Sequence, residues 1–147
     1  MKKYELTTET KVVSGHTLYR IRALVAFGSV DTGELGGWIE NETNLAQYGN
    51  AWVYGNAQVY GNAQVCGNAR VCDNAAIMTI SHIGSRFGTT TFFVLKNGKI
   101  GVQCGCFYGD IDEFAAKVEQ THGNNQHGKA YKLAIELAKL RLQTRKE

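Results

Sequence analysis

The sequence predicts a mainly β chain with C-terminal α structure: a short parallel coil with three flat sides, a β-hairpin cap before it and a ββαα region after it. Three observations carry this. The hexads VYGNAQ, VYGNAQ, VCGNAR and VCDNAA follow one another from Val53 without interruption. They place Val53, Val59, Val65 and Val71 in phase, with Ala57, Ala63, Ala69 and Ala75 four residues behind. Glycine occurs 17 times in 147 residues and proline not at all, against usual shares of roughly 7% and 5%, which suits short strands joined at corners of positive φ. Beyond residue 83 the period of six gives way to strand alternation and then to helical spacing.

The first segment, 1–38, reads as the cap. KVV, the turn Ser14-Gly15 and HTLYRIRAL form a hairpin, with Leu18, Ile21 and Leu24 available for packing. DTGELGGW, 31–38, is a Gly-rich bend. It lacks the GxGxxG pattern and no helix follows it, so it is a tight approach to the coil rather than a phosphate loop, and no cofactor is implied.

The coil spans 39–82. Apolar residues six apart fit neither an amphipathic helix, which repeats at three and four, nor a hairpin sheet, whose turns come every eight to twelve residues. They fit six residues per side and eighteen per turn. Each Val points inward, each Ala fills a corner, and Gly-Asn turns the chain, Asn tolerating the left-handed region. Full burial of one such Val contributes roughly 1.5–3 kcal/mol. The pattern begins less regularly: Ile39 and Leu45 are six apart, YGNA recurs at 48–51, and a two-residue shift separates Leu45 from the phase of Val53. Stacking at eighteen puts Val53 under Val71 and Leu45 near Ala63. Tyr48, Trp52, Tyr54, Tyr60, Cys66 and Cys72 are expected to point outward.

The last segment, 83–147, opens with TTTFFVLK, Asn97-Gly98 and KIGVQCG, a hairpin by its alternation and its NG turn. Phe93 and Leu95 are expected on one side, with Ile100, Val102 and Cys104 opposite. Asp110, with Glu113 three residues later, starts a helix whose stripe is Ile111, Phe114, Ala115 and Val118 and whose end is Gly123. A second helix runs from about Lys129 to Gln143 with two apolar stripes, Tyr131, Ile135, Ala138, Leu142 and Leu133, Leu137, Leu140. A helix apolar over most of its circumference is covered on two sides: one side by its own hairpin, the other by a neighbouring subunit.

The VYGNAQ-type hexads resemble the hexapeptide repeat of left-handed parallel β-helix proteins, which implies a left-handed coil. The full order, LGGWIE, YGNA hexads, IGSR-TTTFF-CGCF and DEF-KVEQTHG, resembles small hexapeptide-repeat proteins of bacteriophage and prophage genomes. The β-helix resemblance, with the second apolar stripe of the last helix, implies a homotrimer. The phage resemblance implies an accessory role, interference with host defence being one such role, and transfers no catalytic residue.

Composition narrows the function. With 44% hydrophobic and 20% charged residues the chain is not disordered, and no apolar run approaches the roughly 18 residues of a membrane span. A net charge of +3 argues against a nucleic-acid partner. MKKYELTTETK has no apolar signal core, so a cytoplasmic protein is expected. The expectation is a non-enzymatic oligomeric protein that binds a host protein or a small anionic ligand. Ser85, Arg86, Thr89, Thr90 and Thr91 are the candidate anion site, a guanidinium beside hydroxyls. Tyr48, Trp52, Tyr54, Tyr60, Tyr131, Leu133, Leu137 and Leu140 are the candidate interface. The alternative is a hexapeptide-repeat acyltransferase, whose general base among His16, His82, His122 and His127 would be His82, at the coil's exit. Cys104, Cys106, His122 and His127 are a weaker metal alternative, their C-x-C…H-x4-H spacing being off the usual zinc pattern. A structural polymer is the third reading, opposed by the flanks that cap both ends of the coil.

Overall fold

A computed structural model describes residues 2–142. The chain is mainly β with two C-terminal helices and several sheets. It divides between Asn74 and Ala75 into two compact units.

In the first unit β1 (Tyr4–Val13) and β2 (His16–Ala23) are antiparallel. Their turn, Ser14-Gly15, has φ of 50° and 82°, the double positive φ that matches hairpin twist. β3 (Leu35–Ile39) extends this sheet antiparallel to β2. The hexads supply β4 (Trp52–Val53), β5 (Gln58–Val59) and β6 (Arg70–Val71). All their pairings are parallel: β3 with β5 and β4 with β6, plus a bridge from Leu45 to Val65. Val53 lies opposite Val71, as the stacking at eighteen requires. Ile39, Leu45, Val53, Val59, Val65 and Val71 are all at most 1% exposed and form the interior of the coil.

The first turn is longer than the second. Ile39 pairs with Val59 and Leu45 with Val65, a spacing of twenty, so the two-residue shift sets Leu45 opposite Val65 rather than Ala63. The two additional residues fall between Leu45 and Trp52, and the N-terminus supports that wide corner. The Gln47 amide accepts from the Lys3 and Tyr4 backbone N–H groups and donates to the Tyr4 carbonyl. Lys3 Nζ donates to the Gly49 and Ala51 carbonyls, at 3.3 and 2.9 Å, and sits over the Phe27 ring. At its other end the coil departs from the pattern too. The fourth hexad runs into a 3₁₀ turn at Asn74–Ala76, which buries Ala76 and leaves Ala75 exposed.

Burial lowers the Lys3 ammonium from 10.5 to about 8. Between those values the unfolded chain binds more protons than the folded one, so stability rises with pH in that window. The Tyr4 hydroxyl, raised by burial and by Glu42, acts oppositely once tyrosine ionises in the unfolded chain, near pH 10. Urea unfolding at about pH 7.5 and 9.5 is therefore expected to show a stability increase that Lys3→Met abolishes. An equal increase in the variant would assign the effect elsewhere.

The sheet approaches the coil through Gly36 and Gly37. A Cβ on Gly36 would stand 2.7 Å from Ile21 Cγ1, Trp52 Cζ2 and the Val53 carbonyl. The tight approach read from DTGELGGW is thus a backbone contact. Trp52, expected outward, is fully buried. Its ring meets Phe27 edge-on at 5.3 Å and Tyr4 at 6.5 Å. It does point away from the coil interior, but the cap covers it. Cys66 is buried as well, and burial pushes its thiol up to about 11. Leu24 is exposed, and Ala23 takes the buried place at the end of β2.

In the second unit β7 (Ile77–Ile83), β8 (Gly88–Val94), β9 (Ile100–Cys104) and β10 (Phe107–Asp110) form an antiparallel meander. The expected hairpin is its centre. As expected, Phe93 lies on the face opposite Ile100, Val102 and Cys104; Phe92 shares their face, because it pairs with Val102 across the strands. Phe93 is buried on the opposite face, over Gly101 and stacked with Tyr108.

The helix α1 (Ile111–His122) has the expected capping box of Asp110 and Glu113 and ends at Gly123, φ 58°. The helix α2 (Gln126–Arg141) starts earlier than expected, since Asn125 caps it by accepting from Gly128 N. Gln143, the expected end, lies outside the described residues. Both helices pack on the β sheet through Phe114, Val118, Tyr131, Ile135 and Ala138. On α2 only one apolar stripe is used. Leu133, Leu137 and Leu140 are 73%, 45% and 66% exposed.

Candidate functional site

The expected anion site is not assembled. Ser85 and Arg86 lie exposed in the turn between β7 and β8. The threonines begin β8, whose side chains alternate between faces. Thr90 is buried and donates to Cys104 Sγ at 3.3 Å. Thr91 is buried on the other face, and Thr89 pairs with the Ser81 hydroxyl at 3.0 Å. Strand alternation thus separates hydroxyls that are adjacent in sequence.

His82 is exposed at φ 58° where the β7–β8 register breaks. Its imidazole neighbours Phe87, at 6.1 Å, and makes no hydrogen bond or ion pair with a described side chain. No group among the described residues therefore fixes its tautomer. Of the candidate interface, Tyr48 is 74% exposed and Tyr54 lies beneath the Arg70 guanidinium. Trp52 and Tyr131 are core residues.

Among the described residues no three of His, Cys, Asp and Glu gather to hold a metal. Cys106 is exposed at the β9–β10 turn. Cys104 Sγ faces the Tyr131 hydroxyl at 3.7 Å, which burial and then the Cys104 hydrogen bond push up to about 12. The quartet with His122 and His127 is therefore not formed, because Cys104 turns into the helix-packed face while Cys106 turns away.

A pair that sequence reasoning passed over is better built. His16, first residue of β2, and Glu40, just past β3, come together across the cap, with Nδ1 2.8 Å from Oε2. The second carboxylate oxygen of Glu40 accepts from Gly61 N at 2.8 Å. These two hydrogen bonds, that to His16 first, hold the Glu40 carboxyl below the usual carboxylate range. The imidazole packs on the Tyr60 ring at 4.6 Å and 34°. Both partners are partly exposed, and His16 Nε2 makes no hydrogen bond to the described residues.

A carboxylate on one imidazole nitrogen fixes tautomer and orientation and leaves the other nitrogen basic toward a substrate. Glu40 is itself anchored by a coil corner and Tyr60 backs the ring, so the pair is held by the coil and not by a free loop. The sequence signal for it was faint. His16 and Glu40 are 24 positions apart, and only the pairing of β2 with β3 brings them together.

No protein-family profile matches the chain. A curated protein of Escherichia coli (strain K12), described as the uncharacterized acetyltransferase YdcK, is 39% identical over 61 residues, covering 36% of this chain and 19% of the relative. The chain therefore spans about a fifth of that relative's length. This partial relationship corrects the expectation of a non-enzymatic protein and points toward an enzyme. It gives no support to a bacteriophage relationship. None of the described helices is long and apolar enough to cross a membrane.

Proposed function

We propose that the coil is a left-handed parallel β-helix of the hexapeptide-repeat kind and that the first unit performs acyl transfer with His16 as general base. The observation that carries this is the His16–Glu40–Gly61 arrangement, with Nε2 left available. The similarity to a protein described as an acetyltransferase supports the reaction class. In this reading Nε2 takes the proton of an acceptor hydroxyl or amine as that group attacks the carbonyl of an activated acyl donor such as a thioester. The Glu40 carboxylate stabilises the imidazolium that forms. The leaving thiolate then recovers the proton.

The test is turnover of an acetyl thioester with a panel of amine and hydroxyl acceptors. His16→Ala is expected to lower the rate about a hundredfold, within the range for losing a general base. Glu40→Gln is expected to lower it about tenfold, and His82→Ala to leave it unchanged. Full turnover in His16→Ala, or its loss in His82→Ala, overturns the assignment.

A second reading rests on α2. The exposed row Leu133, Leu137 and Leu140 supports a proposed homotrimer, whose outer surface could engage a host protein.

A further inference from the structure

We infer that His122 and His127 together bind one divalent transition-metal ion at the junction of the two helices. The inference does not depend on the acyl-transfer reading, which concerns residues of the other unit.

The junction is closely built. His122 ends α1, and Gly123 turns the chain at φ 58° with its N–H on the Glu119 carbonyl. Asn125 then caps α2, placing His127 in its first turn. Gly128 packs against this turn so tightly that a Cβ there would lie 2.1 Å from the Gly123 carbonyl oxygen. The last residue of one helix and the second of the next are thereby held ring to ring, with centroids 5.6 Å apart and planes at 57°. The His122 ring is also stacked on Tyr131, at 5.7 Å and 24°. Tyr131 is fixed in turn, its hydroxyl packed against Gly84 and facing Cys104.

Two features suit this pair to a metal. Neither imidazole makes a hydrogen bond or ion pair with a described residue, so their nitrogens are not committed elsewhere. Imidazole nitrogens bind such ions at roughly 2.0–2.1 Å, which sets the centroids of two rings on one ion about 5 Å apart. The observed centroid separation of 5.6 Å lies close to that value. No third His, Cys, Asp or Glu joins them among the described residues, so water fills the remaining positions. Nitrogen donors with open water positions favour nickel(II) and copper(II) over magnesium or calcium. This differs from the quartet expected from sequence, since neither Cys104 nor Cys106 takes part.

The test is calorimetric titration of the purified full chain, free of any affinity tag and with its thiols reduced, using nickel chloride as the probe. One ion per chain is expected. His122→Gln and His127→Gln should each weaken binding at least tenfold with unchanged circular dichroism. His16→Gln should bind as the parent does, which keeps this result separate from the acyl-transfer test. Magnesium chloride should give no signal. Equal nickel affinity in the parent and both histidine variants, or no binding by the parent up to millimolar nickel, overturns the inference.

Discussion

Gly36→Ala is expected to destabilise the protein by about 4 kcal/mol or more, a large share of the roughly 5–15 kcal/mol that holds a typical domain together. The added methyl would meet three atoms at 2.7 Å together, and none can readily give. Trp52 is held between Tyr4 and Phe27, Ile21 is fully buried, and the third atom is the backbone oxygen of Val53 in the coil. Overpacking typically costs about 1–3 kcal/mol where side chains can move, and here backbone would have to move. Gly61→Ala is the internal comparison. Gly61 has φ +64° with nothing within 4 Å of an added Cβ, so it should cost only the left-handed penalty of about 1–2 kcal/mol. Urea midpoints decide this, and similar losses at the two positions would refute the steric account.

Asn44→Leu is expected to cost about 4 kcal/mol although the two side chains are close in size. Asn44 is fully buried in the 3₁₀ turn Glu42–Asn44. Its Oδ1 accepts from the N–H groups of Glu40 and Asn41, and its Nδ2 donates to the carbonyls of Gly61 and Ala63. One amide thus joins two successive turns of the coil through four hydrogen bonds. Leucine would leave three backbone groups without partners, the Asn41 N–H and the Gly61 and Ala63 carbonyls, since the Glu40 N–H also donates to the Val59 carbonyl, at about 1–3 kcal/mol for each that water cannot reach. The estimate lies below the sum because neighbouring Asn41 is exposed and solvent can serve it. Asn44→Asp keeps the acceptor and should lose less than leucine despite the added charge. A loss below about 1 kcal/mol for Asn44→Leu would show that water replaces the amide.

What the sequence made legible was the part governed by local, repeated chemistry. Val53, Val59, Val65 and Val71 announced an interior because a period of six has few physical explanations. Asp110 with Glu113, and Asn97-Gly98, marked a helix start and a hairpin because caps and turns are decided by neighbouring residues. The errors lay one level higher. Period specified that Trp52 points away from the coil interior but not that the cap would close over it. The Leu45 register followed from where two additional residues were placed, which depends on Lys3 and Gln47 meeting across more than forty positions. His16 and Glu40 escaped for the same reason. Thr89, Thr90 and Thr91 were read as a cluster because adjacency in sequence was allowed to stand for adjacency in space, which a strand forbids.

The placement of Trp38 and Trp52 has a practical consequence for every melt described above. Both indoles belong to the first unit, whereas α1 and α2 belong to the second. Indole emission therefore reports on the hexads and their hairpin, and the far-ultraviolet ellipticity of helices reports on the meander and its helical layer. A single denaturation followed with both signals assigns lost order to one half of the polypeptide or the other, without any label being introduced.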